Sequence, residues 1–146
     1  MTFGLRPLLM ASLLTLYWHP PQAASADNVL APCPDTPNCV STEATRDSQR
    51  VPTVAFSDTP AAALVRARSA LLAEPRSTIT VERSGYVRGE CRSLVFRFVD
   101  DVDIVVDPIG YLFRFRSASR VGRSDLGVNR HRIERIAARL RATTGS

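Results

Sequence analysis

The chain has no lysine. All 19 of its basic residues are arginines, set against 14 acids, for a net charge of +5 over 146 residues. Histidine is almost as scarce, with only His19 and His131, so a zinc site built from several imidazoles is excluded for any form that loses its N-terminus. Three cysteines are too few for a small scaffold held by several disulfides. No apolar run approaches the ~20 residues of a membrane-crossing helix. The most apolar stretch, Leu8 to Trp18, is eleven residues long. With 45% hydrophobic residues, the composition is that of a globular protein and excludes disorder, collagen and a multi-span membrane protein.

What is there begins with a leader. Arg6 precedes the apolar stretch, Pro20 and Pro21 stop it, and Ala24-Ser25-Ala26 has the small-x-small spacing of a secretory cleavage site. Residues 1–26 therefore read as a signal peptide, and the expected location is exported, periplasmic or extracellular. An uncleaved anchor is the alternative. About 120 residues remain, enough for one domain with one core. Cys33 and Cys39 are separated by five residues rich in turn formers. In an oxidising compartment the pair reads as a disulfide, with two reduced thiols as the alternative. Cys91 reads as a small residue on a strand, since no base lies near it in the sequence.

Residues 27–50 read as an irregular, cysteine-linked lead-in, and residues 51–142 as an α+β domain. Val51–Phe56 is a strand candidate demoted to an edge by Pro52. Ser57, Asp58 or Thr59 caps a helix that opens on Pro60 and ends before Pro75. Its apolar side holds Ala63, Leu64, Ala67, Ala70 and Leu71, while Arg66 and Arg68 point away. Alternating runs follow. Ile79 and Val81 share a face, Gly85 marks a turn, and Leu94, Phe96 and Phe98 face the core. Asp100-Asp101 reads as a turn, followed by Val102, Ile104 and Val106 facing inward. Asp107-Pro108-Ile109-Gly110 is a hairpin turn leading to Tyr111, Phe113 and Phe115. A last helix, capped by Ser124 or Asp125, carries Ile133, Ile136, Ala137 and Leu140 on one stripe, with arginines on its other faces. The expected fold is a single α+β domain: a curved antiparallel sheet of about four to five strands with two helices packed on one face.

Chemistry concentrates between Arg116 and Arg130, where a strand, a loop with two glycines and a helix start bring arginines and hydroxyls close in sequence. Loop N–H groups, serine hydroxyls and arginine forks at a helix start are the components of anion sites. The expected ligand-binding residues are Arg116, Ser117, Ser119, Arg120 and Arg130, with Asp100 and Asp101 orienting the arginines. A structural use of the same residues competes: Arg116 or Arg120 paired with Asp100 or Asp101, and Asp125 occupying the helix terminus itself. Asp100, Asp101, Asp103 and Asp107 lack a calcium-loop pattern and read as solvated charges paired to arginine. His131 reads as a surface residue, and no Gly-x-Ser-x-Gly elbow is present. No metal or cofactor is implied. Export and the interspersed acids argue against a nucleic-acid partner.

Four motifs occur in order: Cys33-Pro34-Asp35-Thr36-Pro37-Asn38-Cys39-Val40-Ser41, Phe98-Val99-Asp100-Asp101-Val102, Arg116-Ser117-Ala118-Ser119-Arg120-Val121-Gly122, and Ser124-Asp125-Leu126-Gly127-Val128-Asn129-Arg130 followed by Arg132-Ile133-Glu134. From about Cys33 to Leu140 the chain resembles domain-of-unknown-function family 1499, which has no established activity. The resemblance implies that the cysteine pair, the acidic pair and the Arg-Ser segment belong to one fold, with Cys91 outside the shared pattern. It departs from the family at Arg123, where an aromatic is common, and between Gly85 and Ser93. The expected protein is an exported domain that binds an anionic small molecule, a lipid head group or an envelope partner. A hydrolase using Asp100 or Asp101 as base is the alternative.

Overall fold

The computed structural model describes residues 29–93 and 98–143. The leader lies outside these residues, as do Leu94, Phe96 and Arg97. The elements run β1 (Cys39–Ser41), a 3-10 turn (Asp47–Gln49), β2 (Val54–Ala55), α1 (Pro60–Leu72), β3 (Ser77–Arg83), β4 (Tyr86–Arg92), β5 (Val99–Asp107), β6 (Leu112–Ser119) and α2 (Val128–Ala142). All strand pairs are antiparallel, in the order β1-β6-β5-β4-β3, with β2 also on β6. Six strands replace the expected four to five because β1 and β2 share the same edge, β1 along residues 116–118 of β6 and β2 along residues 112–113. The lead-in is thus not irregular throughout. Its Cys39–Ser41 stretch extends the sheet, with Cys33 bonded to Cys39 just before it.

α1 forms where its capping chemistry starts it, whereas α2 begins after Gly127, later than a cap at Ser124 or Asp125 would place it, with Asp125 reaching forward to accept from Asn129 N. The Thr59 hydroxyl accepts from Ala62 N at the start of α1, and Pro60 takes the first turn without losing a hydrogen bond. Ala63, Ala67, Ala70 and Leu71 of α1 and Ile133, Ile136, Ala137 and Leu140 of α2 pack on one face of the sheet. There they meet Val102, Ile104 and Val106 of β5 and Phe113 and Phe115 of β6. Each large side chain buried there contributes roughly 1.5–3 kcal/mol. On the opposite face, Leu30 of the lead-in covers Tyr86 and Val105 in a smaller cluster.

Five local expectations are corrected. Asp100-Asp101 is not a turn: β5 runs straight through it from Val99, and just before the strand Ser93 N donates to Phe98 O and Phe98 N to the Ser93 hydroxyl. The acids can lie in a strand because each has an arginine partner on its own side of the sheet. Phe98 then precedes the strand and is 47% exposed instead of joining the core. Val81 does not share the face of Ile79, since the pairing with β4 slips between them, and a bulge reverses the alternation. Arg66 does not point away: it pairs with Asp58 at 2.5 Å and lies over the Phe113 ring. The Val51–Phe56 strand shrinks to Val54–Ala55, although Val51 and Phe56 remain buried.

Candidate functional site

Strand alternation divides the seven expected site residues. Asp100, Ser117 and Ser119 lie on the helix-covered face of the sheet. Asp101, Arg116 and Arg120 lie on the other, as their registers require: Asp100 opposite Ser119, Asp101 opposite Ala118 and Asp103 opposite Arg116. Arg130 sits elsewhere, donating from α2 to the carbonyls of Ser48 and Arg50. The arginines do not converge on one pocket.

On the outer face the charges form a ladder across three strands. Arg120 grips Asp101 with two bonds of 2.8 and 2.9 Å and reaches Glu90 at 2.5 Å. Its hydrogen bonds and charge hold the Asp101 carboxyl below the usual range against the opposing effect of burial, which makes Asp101 a poor base. Asp103 is buried, not solvated. It accepts from the Tyr86 hydroxyl at 2.5 Å and Arg88 Nε at 2.7 Å, with Arg116 at 3.5 Å. Burial, then the hydrogen bond to Asp103, pushes the Tyr86 phenol up to about 12.

The helix-covered face ends in a buried polar cluster that sequence reasoning missed. Arg132, expected on a solvated face of α2, is 5% exposed. Its Nη2 donates to Asp100 Oδ2 at 2.7 Å, and its Nη1 donates to Asn129 Oδ1 at 2.7 Å and to the Ser117 hydroxyl at 3.1 Å. Ser117 donates to Asn129 Oδ1 in turn. The Asn129 amide donates to the Ser119 hydroxyl at 2.9 Å and to the carbonyl of Asn38 at 3.2 Å. Asn38, immediately before Cys39, donates through its own amide to the carbonyl of Gly122. The lead-in, β5, β6 and α2 are therefore tied at one point. A signal was present: Asn129 and Arg132 lie four residues before Ile133 and Ile136, on the same stripe of α2, so they had to enter the core.

Above this cluster a small cleft of about 90 Å³ opens to solvent beside the segment leading into α2. Asp100 and Ser119 lie in it, with Ser93, Phe98, Val121 and Val128 around them. The segment into α2 is internally braced. Asp125 accepts from Gly127 N and Asn129 N, covering the helix start as expected of a capping acid. Gly127 adopts φ +82°, a left-handed turn that favours glycine.

The sequence pattern of DUF1499, described as a protein of unknown function, matches residues 29–140. The chain belongs to the DUF1499 family. No curated protein matches it. In this DUF1499 domain the four motifs meet at the sheet end just described. The cysteine motif supplies Asn38, the acidic pair Asp100, the β6 motif Ser117 and Ser119, and the last motif Asn129 and Arg132. Residues from all four motifs thus build the cluster.

Other groups have structural surroundings. Glu74, after α1, is held by Arg135 and Arg139 of α2. Burial alone would raise its carboxyl, but the two guanidiniums outweigh it and leave it below its ordinary value. Cys91 is a free, buried thiol pushed up by burial, which opposes thiolate reactivity. His131 is on the exposed side of α2 beside Glu134 at 3.2 Å. Among the described residues no group of His, Cys, Asp or Glu is placed to hold a metal ion, and no helix is long and apolar enough to cross a membrane.

Proposed function

We propose that this DUF1499 chain is an exported, non-catalytic binding domain, and that its ligand sits in the cleft above Asp100 and Ser119. One observation carries the reading: half-exposed apolar side chains stand around a cleft whose floor, Asp100 and Ser119, is fixed by hydrogen bonds to Arg132 and Asn129. Such preorganisation favours binding, because little side-chain freedom is lost when a ligand enters. The Cys33–Cys39 disulfide and the leader support export, since such bonds persist in oxidising compartments. The expected anion site of converging arginines loses support, because Arg116, Arg120 and Arg130 are engaged within the fold. The binding reading moves to the cleft. Asp100 is the one support for the hydrolase alternative. Against it, the Asp100 carboxylate is held in a buried ion pair by Arg132 at 2.7 Å.

The test is ligand-observed NMR with a panel of small alcohols, amides and phosphate esters. Several should bind, and Val128→Trp, which fills the cleft, should abolish those signals. Tyr111→Trp, in the β5–β6 turn at the other end of the sheet, should leave them intact. Signals indifferent to Val128→Trp would move the site elsewhere. Protein recovered from the periplasm of a bacterial host should begin at Asp27, and a retained N-terminus would overturn the cleaved-leader reading.

A further inference from the structure

We infer that the segment between β6 and α2 docks the protein on an anionic lipid surface, with the Leu126 side chain entering the head-group region. This docking is independent of what fills the cleft. Local chemistry gives no reason for a leucine there. Val128 N donates to Asp125 O, closing a four-residue turn whose central residues, Leu126 and Gly127, have φ of +53° and +82°. Such a turn favours asparagine or glycine at its first central position, because a Cβ is disfavoured in the left-handed region. The core gives no reason either, since Leu126 is 91% exposed. A large apolar side chain held in water in a strained conformation gains most from an apolar surface outside the chain.

The surroundings of Leu126 select that surface. Val121 and Val128 flank it on the same segment, each about half-exposed. The Arg123 guanidinium is exposed and has no partner among the described residues. Asp125, the acid of the segment, is occupied by the N–H groups of Gly127 and Asn129. Protruding aliphatic groups beside a free cation match the interface of a bilayer, where the aliphatics reach the acyl boundary and the guanidinium meets lipid phosphate. A partner protein fits less well, because a stable contact needs roughly 800 Å² on each side and this segment is short. Ile109, in the β5–β6 turn at the other end of the sheet, is just as exposed at 92%. Charge separates the two places: the arginine at that turn, Arg114, is already held by Glu43 and Asp107. Resting on Leu126, two valines and Arg123, the attachment should be weak and should fall as salt screens the arginine.

The experiment follows Leu126→Trp and Ile109→Trp, each on a Trp18→Phe background so that a single tryptophan reports. Vesicles contain phosphatidylglycerol and phosphatidylcholine in equal parts, or phosphatidylcholine alone. On the mixed vesicles the emission of Leu126→Trp should move to the blue and be quenched by brominated acyl chains, while that of Ile109→Trp should not change. Phosphatidylcholine alone should give a smaller shift. In flotation of protein recovered from the periplasm, Leu126→Asp should reduce the amount bound to mixed vesicles about tenfold, and Arg123→Ala severalfold. Leu126→Asn, which suits the turn, should also release the protein while melting no lower than wild type, a combination that a structural leucine would not give. Loss of stability in Leu126→Asn, flotation unchanged by Leu126→Asp, or a blue shift in Ile109→Trp alone would each overturn the inference. Wild-type protein that floats with neither vesicle overturns it too, and leaves Leu126 to a partner protein.

Discussion

Arg132→Ala tests the cluster on which the site stands. In the native fold the Arg132 and Asp100 side chains are 7% and 6% exposed, and the guanidinium serves three acceptors. Removing it leaves an ionised carboxylate buried without its countercharge, which costs about 3–5 kcal/mol in comparable buried pairs. Set against a total stability of about 5–15 kcal/mol for a domain, that is a large fraction. At roughly 3–6 °C per kcal/mol for a domain of this size, the melting temperature should fall by about 10–25 °C. The structure also fixes an asymmetry. Among the described residues Asp100 has Arg132 as its one ionic partner, whereas Arg132 without Asp100 keeps Ser117 and Asn129 as neutral acceptors. Asp100→Ala should therefore cost less than Arg132→Ala. Asp100→Leu combined with Arg132→Met, which removes both charges, should cost less than the sum of the singles. Urea unfolding followed by far-ultraviolet circular dichroism suits the test, because the sole tryptophan, Trp18, lies in the leader. A cost under about 1 kcal/mol for Arg132→Ala, or a larger cost for Asp100→Ala, would refute a closed, buried cluster.

Two further outcomes follow from the packing. Glu74 has a native carboxyl below its ordinary 4.5, so its contribution is complete above that pH and is lost as the pH falls through the lower native value. Stability measured by urea titration should decline below about pH 4.5, and Glu74→Gln should flatten that decline; an unchanged slope would show that Glu74 is not responsible. Gly89→Ala places a Cβ 2.7 Å from the Thr78 carbonyl oxygen and 2.9 Å from a Leu71 methyl. It should cost about 1–3 kcal/mol, and a neutral result in thermal melts would show that α1 can move off β4 freely.

The elements legible in the sequence were those with local chemistry at their ends. Thr59-Pro60 starts α1, the stripe from Ile133 to Leu140 defines α2, and Asp107 accepts from Ile109 N and Gly110 N in the turn it was expected to make. The errors share a cause. Asp100-Asp101 looked like a turn because acids are costly in a sheet, and only partners distant in sequence, Arg132 and Arg120, remove that cost. Clustering Arg116, Ser117, Ser119 and Arg120 treated nearness in sequence as nearness in space. They belong to β6 or leave directly from it, and strand alternation sends Arg116 and Ser117 to opposite faces. Arg132 was lost because arginine seldom enters a core, although its position on the stripe required it to.

The absence of lysine then takes on a physical meaning. By charge alone, an arginine-only chain suggests recognition of phosphates. Here the guanidinium forks serve the fold. Arg120 spans Asp101 and Glu90 across two strands, Arg132 spans an acid, an amide and a hydroxyl, and Arg130 spans two carbonyls of the lead-in. A lysine ammonium, a strongly hydrated point charge, would not match the planar geometry of these contacts or enter the core as readily. With these cations committed internally, the fold's excess of positive charge reports on how the sheet and helices are tied together and is a poor guide to a ligand.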